Sequence, residues 1–131
     1  MKIKKGILLA GGHGTRLHPT TLAVNKHLLN IYSKPMVYYS LSTLMLADIR
    51  EVLIIALPED LQLYKNLFSD GEYLGMKISY KVQKDPKGIA EAIIIAENFI
   101  GEDDFALLLG DNFFYSENFT NILKRSINKV K

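Results

Sequence analysis

The chain has 131 residues, of which 48% are apolar and 23% charged, a composition typical of one globular domain with a single core. The absence of cysteine excludes thiolate nucleophiles, cysteine-based zinc sites and disulfides, and it favours a cytoplasmic location. A net charge of +2, dispersed along the chain, argues against nucleic acid or an anionic membrane as a partner. The first apolar stretch ends at Gly11-Gly12, too early for a signal peptide.

Short apolar runs alternate with longer segments of helical periodicity, which is the pattern of βαβ units. The first strand is predicted over residues 5–10, and a helix is predicted to open at Pro35. Residues 51–57 are apolar on both faces and predict a strand buried in a parallel sheet. Residues 58–60 are predicted to start a second helix, which ends near Asp70-Gly71.

The second half of the chain continues this alternation. Residues 77–83 alternate between apolar and polar side chains, which predicts a strand at a sheet edge. A well-buried helix is predicted over 88–99, a buried strand over 105–109, and a last helix from about Asn118. In that last helix, Phe119, Ile122, Leu123, Ile127 and Val130 are predicted to face inward, and Lys124, Arg125, Lys129 and Lys131 to face water.

Four parallel strands with right-handed crossovers, the third at an edge, are most simply ordered 3-2-1-4. We therefore predict one Rossmann-like, three-layer α/β domain over residues 1–131. The order reverses between the first and fourth strands, where the loops leaving their carboxyl ends open a crevice. Those loops are residues 11–16 and 110–112.

Residues 11–16 are rich in glycine. Gly11, Gly12 and Gly14 allow a sharp turn and a close approach of backbone N–H groups to an anion, and Arg16 adds a planar cationic fork. The alternative is an ordinary βα turn with a surface arginine, but such a turn needs one glycine and not three. Phosphate is therefore the predicted ligand. The dinucleotide fingerprint and the P-loop motif are both absent.

Three further side chains are candidates because of their positions. Asp111 follows the last strand, where a carboxylate can hold Mg²⁺ against phosphates; an Asx turn is the alternative, and the position opposite the glycine loop favours the metal. Lys26 would ordinarily be a solvated lysine, and its place downstream of the loop suggests a phosphate contact. Gln83 closes the third strand, where an amide can bind a base edge, although a plain turn is the simpler interpretation.

The segment LAGGHGTRLHPTT, residues 9–21, resembles the signature of sugar-phosphate nucleotidyltransferases. The resemblance continues through KPMVYY at 34–39, YKVQ at 80–83, PKGIAEA at 86–92 and LGDN at 109–112. It covers essentially the whole chain. It is closest to the members of the family that transfer a thymidylyl group to glucose 1-phosphate.

The resemblance implies transfer of a thymidylyl group from dTTP to glucose 1-phosphate, giving dTDP-glucose and pyrophosphate, with Mg²⁺ as cofactor. It implies that Arg16 and Lys26 are catalytic through neutralising charge around the α-phosphorus, and that Asp111 binds the metal. It also implies a set of nucleotide-binding residues: Leu9, Gly11, Gly12, His13, Gly14, Thr15, Arg16, Gln83, Pro86, Gly88 and Gly110.

This sequence departs from the family pattern in several respects, including Asn30 and Ser40 at positions where the family usually has proline. His13 stands where the family usually has a small residue, and family members continue with a sugar-binding half that contributes a second metal-binding aspartate. We therefore expect residues 1–131 to form the nucleotide-binding half, weakly active or inactive alone, with a homo-oligomer or a partner chain supplying the missing half. A non-catalytic nucleotide sensor or assembly subunit is the alternative from another class.

Overall fold

The computed structural model describes residues 3–130, so the predicted exposure of Lys131 lies outside the described residues. The strands are β1 (Lys5–Ala10), β2 (Asn30–Ile31), β3 (Lys34–Pro35), β4 (Glu51–Ala56), β5 (Lys77–Val82) and β6 (Phe105–Leu109). The helices are α1 (Met36–Leu46), α2 (Leu61–Phe68), α3 (Ile89–Ile95), α4 (Glu97–Ile100) and α5 (Phe119–Ile127). Across residues 3–130, every helix is too short or too polar to serve as a membrane span.

Four of the strands form one parallel sheet in the order β5-β4-β1-β6. For these four strands the order is the predicted 3-2-1-4, but the chain also contains β2 and β3, a separate antiparallel pair that the sequence pattern does not predict. In the register of the sheet, Leu9 lies beside Leu109. The carboxyl ends of β1 and β6 are therefore neighbours, and the loops that follow them meet at the switch point.

Helices cover both faces of the sheet and give three layers. On one face α1, α2 and α5 pack in a buried cluster that includes Leu8, Leu41 and Ile54. On the other face α3 and α4 pack against Ile7 and Leu53. Because β1 and β4 lie between these two layers, both of their faces are apolar. The predicted α/β class with a mainly parallel sheet is confirmed.

The helix predicted over residues 88–99 differs from the structure in both continuity and burial. It is divided at Ala96 into α3 and α4. Ala92 and Ala96 are buried against the sheet, whereas Ile93 and Ile94 are exposed. The prediction of a well-buried helix is therefore wrong. α3 and α4 pack against the sheet along one side, and the apolar side chains on their opposite side are uncovered within the described residues.

The fourth strand of the sheet and the last helix are also less buried than predicted. All five residues of β6 are half-buried, because among the described residues this strand has a neighbour on one side alone. In α5, Ile127 is buried but Ile122 and the following Val130 are exposed, so the predicted inward face is wrong at those two positions. The side chains of Lys124, Arg125 and Lys129 are exposed as predicted.

The second helix begins later than the sequence predicts. Residues 58–60 form a turn in which the Asp60 N–H donates to Leu57 O at 3.1 Å, and α2 begins at Leu61. The Asp60 carboxylate makes no cap bond to α2 and is instead hydrogen-bonded to Asn25. At the sheet edge, β5 lies where the alternating pattern of residues 77–83 predicts.

The packing of α1 on the sheet generates a prediction about stability. Leu44 is 1% exposed, and its two methyl carbons lie 3.1 and 3.3 Å from the position that a Cβ on Gly6 would take. We expect Leu44→Ala to lower the free energy of unfolding by about 2 to 5 kcal/mol through lost burial and a residual cavity. Leu46→Ala on the same helix, at a side chain that is 44% exposed, should cost less than about 1 kcal/mol. Urea unfolding checks both values, and equal losses would contradict this description of the core.

Candidate functional site

The glycine loop that follows β1 is held in a conformation that glycine favours. Gly12 has φ +97° and Gly14 has φ +61°, values that side-chain-bearing residues rarely adopt. A Cβ on Gly14 would lie 2.9 Å from Cγ2 of Thr21, and the Thr21 hydroxyl donates to Gly14 O at 2.6 Å. A single 3₁₀ turn over Thr15–Leu17 then follows. Local contacts thus fix the conformation at Gly14.

A hollow of about 360 Å³ opens beside this turn. It is lined by Gly14, Thr15, Arg16, Leu17 and Lys26. The Arg16 side chain is exposed and forms no ion pair with any residue in the described range, so its guanidinium is available to an anion. The structure therefore places two cationic side chains on one small concave surface.

A larger cleft of about 540 Å³ lies on the other side of the loop. Gly12 and His13 line it together with the acidic residues Glu59 and Asp60, and no lysine or arginine within residues 3–130 lines it. Carboxylates without a partner cation repel phosphate. The hollow beside Arg16 is consequently the better phosphate site, although it is the smaller of the two. His13, which the resemblance places among the nucleotide-binding residues, lines the larger cleft.

The Asn25 side chain is hydrogen-bonded to three residues near the C-terminal end of the loop that follows β1. Its Oδ1 accepts from the His27 backbone N–H at 2.9 Å, the His27 ring at 2.7 Å and the Tyr64 hydroxyl at 3.1 Å. Its Nδ2 donates to Asp60 Oδ2 at 2.7 Å. Because a carboxylate only accepts, the NH₂ group of Asn25 must face Asp60 and its oxygen must face His27. Burial raises the pKa of Asp60, and the bond from Asn25 partly opposes that shift.

The His27 ring connects the two loops of the switch point. The ring is 3% exposed, and a Cβ added to Gly110 would lie 2.8 Å from its Cδ2. Gly110 also donates its N–H to Leu9 O at 2.8 Å, which continues the contact between β1 and β6. Burial lowers the pKa of His27 to about 4, opposed by the charge of Asp111 and reinforced by that of Lys26. The ring is therefore neutral at pH 7, with its proton on Nδ1.

Lys26 and Asp111 meet across the crevice. Lys26 Nζ lies 2.7 Å from Asp111 Oδ2, with both side chains about 30% exposed (28% and 31%). Partial burial by itself would raise the pKa of Asp111, but the hydrogen bond and charge of Lys26 outweigh it and lower that pKa. The loop carrying Asp111 is also anchored to α1, where the buried Ser40 hydroxyl lies 3.2 Å from Asn112 O.

Gln83 forms the other end of the site. It follows β5, is 2% exposed, and its Oε1 would lie 3.3 Å from a Cβ on Gly11. Its Nε2 donates to Glu91 Oε2 at 2.6 Å and to Gly88 O at 3.3 Å. The half-buried Leu9 also lies beside Gly11, 3.8 Å from the position of that Cβ. The exposed Pro86 lies in the turn that links Gln83 to Gly88.

The predicted residues thus form two groups at the carboxyl edge of the sheet. Arg16 and Lys26 line the hollow and Asp111 is paired with Lys26, while Gly11 and Gln83 meet at the neighbouring edge. Sequence reasoning missed the supporting residues Thr21, Asn25, His27, Asp60 and Glu91. Of these, only Glu91 carries a local signal, an acid in the first turn of a helix that follows a glycine.

The site offers few side-chain ligands for a divalent cation. Within residues 3–130 no group of three or more histidine, cysteine, aspartate or glutamate side chains is arranged to hold a metal ion. Mg²⁺, however, is usually held by one or two carboxylates together with substrate phosphates and water. A partly exposed carboxylate beside a phosphate-sized hollow fits that mode, so Asp111 suits Mg²⁺ that arrives with a nucleotide.

The family model described as nucleotidyl transferase matches residues 5–131. The chain therefore belongs to the nucleotidyl transferase family. It is 56% identical over 122 residues to the glucose-1-phosphate thymidylyltransferase of Neisseria meningitidis, a match that covers 93% of this chain and 42% of that protein. The chain thus spans less than half the length of this curated relative.

Solved structures agree with this assignment. A Bacillus anthracis protein assigned the name glucose-1-phosphate thymidylyltransferase and crystallised with sucrose has a TM-score of 0.87 and 36% identity, covering 96% of this chain and 51% of that chain. A UDP-glucose pyrophosphorylase complexed with UDP-glucose has a TM-score of 0.77 and 30% identity, covering 96% of this chain and 52% of that chain. Both similarities extend over nearly all of the present chain.

The buried His27 ring makes stability depend on pH. Its folded pKa of about 4 lies below the ordinary value of 6.5, so in acid the unfolded chain takes up the proton first. Its contribution to stability is therefore complete above pH 6.5 and is lost as the pH falls toward 4. Between pH 7.5 and pH 4.5 we expect the wild type to lose about 2 to 3 kcal/mol more than His27→Gln loses.

Urea unfolding at the two pH values measures this difference. His13→Gln, which replaces an exposed histidine, serves as the control for removing an imidazole and should retain most of the excess loss that the wild type shows over His27→Gln. Parallel pH curves for the wild type and His27→Gln would contradict the assignment of a neutral, buried ring.

Proposed function

We propose that residues 1–131 form the nucleotide-binding part of an enzyme that transfers a thymidylyl group from dTTP to glucose 1-phosphate, giving dTDP-glucose and pyrophosphate. The observation that carries the proposal is the grouping of Arg16, Lys26 and Asp111 around the glycine loop. The names of the relatives support the choice of substrates. The cysteine-free sequence supports a cytoplasmic location.

The triphosphate of dTTP would lie in the hollow beside Gly14 and Thr15. Arg16 presents an unpaired guanidinium, which suits two phosphate oxygens at once. Lys26 has Asp111 as its partner in the ligand-free structure, and a triphosphate offers it a second anion at the same place. The N–H groups of the glycine loop complete this positive surface.

The thymine base would lie at the other end of the site, over Gly11 and beside Leu9 and Gln83. The absence of a side chain at Gly11 leaves the Gln83 amide accessible from this side. The turn formed by Pro86 and Gly88 borders the same space. The distance between the base and the phosphates then follows from the spacing of β5 and β1 in the sheet.

The chemistry requires positioning and charge compensation rather than a protein nucleophile. A phosphate oxygen of glucose 1-phosphate bonds to the α-phosphorus of dTTP, and the bond from that phosphorus to the bridging oxygen of the β-phosphate breaks, so pyrophosphate leaves. Arg16 and Lys26 stabilise the negative charge that spreads over the α-phosphate oxygens. Mg²⁺ held by Asp111 would supply further charge compensation for the leaving pyrophosphate.

Nucleotide binding is tested by removing the guanidinium. We expect Arg16→Ala to weaken dTTP binding about tenfold to a hundredfold, because one charge-assisted phosphate contact is lost. Isothermal titration calorimetry with dTTP and Mg²⁺ measures the change. Arg125→Ala, at an exposed position on α5, is the matched control and should bind as the wild type does. Unchanged affinity in Arg16→Ala would contradict the phosphate role.

Turnover is tested by pyrophosphate release from dTTP, glucose 1-phosphate and Mg²⁺. Asp111 is a single carboxylate outside any cluster of metal ligands in the described range, so we expect it to fix the ion loosely. The 131-residue chain should therefore turn over far more slowly than about 1 per second, while still binding dTTP. Asp104→Asn, at an exposed carboxylate just before β6, is the matched control. A faster rate that Asp111→Asn abolishes and Asp104→Asn preserves would show that residues 1–131 suffice for catalysis.

A further inference from the structure

We infer that Glu91 is a positioning residue for base selection: it fixes the orientation of the Gln83 amide so that an oxygen, and not an NH₂ group, faces the base. The inference rests on the proposed function, because it assumes that a nucleotide base lies over Gly11. It concerns how the site distinguishes thymine from cytosine.

The Gln83 side chain is buried, and both hydrogens of its NH₂ group are hydrogen-bonded. Nε2 carries two hydrogens, and the structure gives it two acceptors, Glu91 Oε2 at 2.6 Å and Gly88 O at 3.3 Å. The side chain is 2% exposed, so it has little freedom to exchange these partners for water. No donor among the described residues is hydrogen-bonded to Oε1, the atom that faces Gly11. An unpaired acceptor is thereby directed at the site.

The orientation of the Gln83 amide depends on Glu91 because the shape of the amide does not determine it. The oxygen and nitrogen of a carboxamide are nearly the same size, so packing alone would accept either orientation. A carboxylate has no hydrogen to donate, and the Gln83 oxygen facing it would be repelled. Glu91 also accepts from the Lys87 N–H at 3.3 Å, which keeps the carboxylate in place at the first turn of α3.

This arrangement favours one class of base. Thymine and uracil carry an N–H at N3 and can donate to Gln83 Oε1, whereas cytosine has an unprotonated N3, which is an acceptor. Two acceptors facing each other in a buried site leave both without a partner, which is costly. The orientation fixed by Glu91 therefore selects bases that have the imide N–H.

The experiment compares dTTP with dCTP by calorimetry in the presence of Mg²⁺, using the full 131-residue chain. The wild type should prefer dTTP by about tenfold or more. Glu91→Met removes the acceptor while keeping a long, helix-compatible side chain, so Gln83 becomes free to turn. The ratio of the two affinities should then fall about threefold to tenfold, mainly through weaker dTTP binding.

Two further variants separate orientation from a merely structural role. Glu91→Gln can still accept from the Lys87 N–H, but its NH₂ group can donate to Gln83, so the amide is no longer fixed and the ratio should fall as it does in Glu91→Met. Glu97→Met, at an exposed position on α4, should leave both affinities unchanged. If Glu91 acted only as a helix cap, Glu91→Met would weaken both nucleotides equally and leave the ratio intact, and that result would overturn the inference.

The wild-type titrations distinguish this inference from the proposed function. Preference for dTTP that persists in Glu91→Met would overturn the role of Glu91 and leave the proposed function standing. Equal affinity of the wild type for both nucleotides would also overturn the role of Glu91, because Gln83 Oε1 would then not distinguish thymine from cytosine. Binding of neither nucleotide would overturn the proposed function, and the inference with it.

Discussion

The site depends on one packing contact, that of the His27 ring against Gly110. This contact joins the loop after β1 to the loop after β6, and it brings Lys26 to Asp111 because each is the chain neighbour of a contacting residue. The ion pair at 2.7 Å is therefore a consequence of the packing. A partly exposed ion pair contributes at most about 1 kcal/mol and would not hold two loops together alone. A glycine at position 110 provides the space that the ring occupies.

The same contact determines where the positive charge of the site lies. His27 is buried and neutral, with its ring proton directed at Asn25, so it adds no charge near the hollow. Among the described residues, the cationic side chains that line the hollow are then Arg16 and Lys26. The carboxylate of Asp60 is separated from this surface by Asn25. A buried polar network thus supports the loop without opposing its charge.

The sheet could be predicted from sequence because its order depends on patterns that the chain itself carries. Apolar residues on both faces mark a central strand, and the alternation over residues 77–83 marks an edge. The switch point, and with it the position of the site, follows from that order. The exposure of Ile93 and Ile94 could not be predicted in this way, since periodicity shows which residues are apolar but not which of them another surface covers.

The candidate site was predictable in part. The glycines and Asp111 stand out by composition and by their place after strands, whereas the roles suggested for Lys26 and Gln83 depended mostly on the resemblance. The supporting contacts are of a different kind. Asn25 meets Asp60 across 35 positions of the chain, and that pairing depends on how the loop after β1 folds back over α2. No spacing rule in the sequence expresses it.

Two of these contacts share a physical principle. Asn25 is oriented by Asp60, and Gln83 by Glu91, and in each pair a carboxamide, half-buried in Asn25 and buried in Gln83, donates to a carboxylate. Since an amide fits its cavity equally well in either orientation, a group that can only accept is needed to choose one. In each pair the carboxylate contacts the NH₂ group of the amide. Its negative charge is therefore one side chain away from the group that the amide oxygen faces. Substituting a carboxylate directly for either amide would bring that charge toward His27 or toward Gly11, where the base of the proposed ligand would lie. A neutral amide backed by an acid therefore gives directional hydrogen bonding at both ends of the site while the surface facing the nucleotide stays positive.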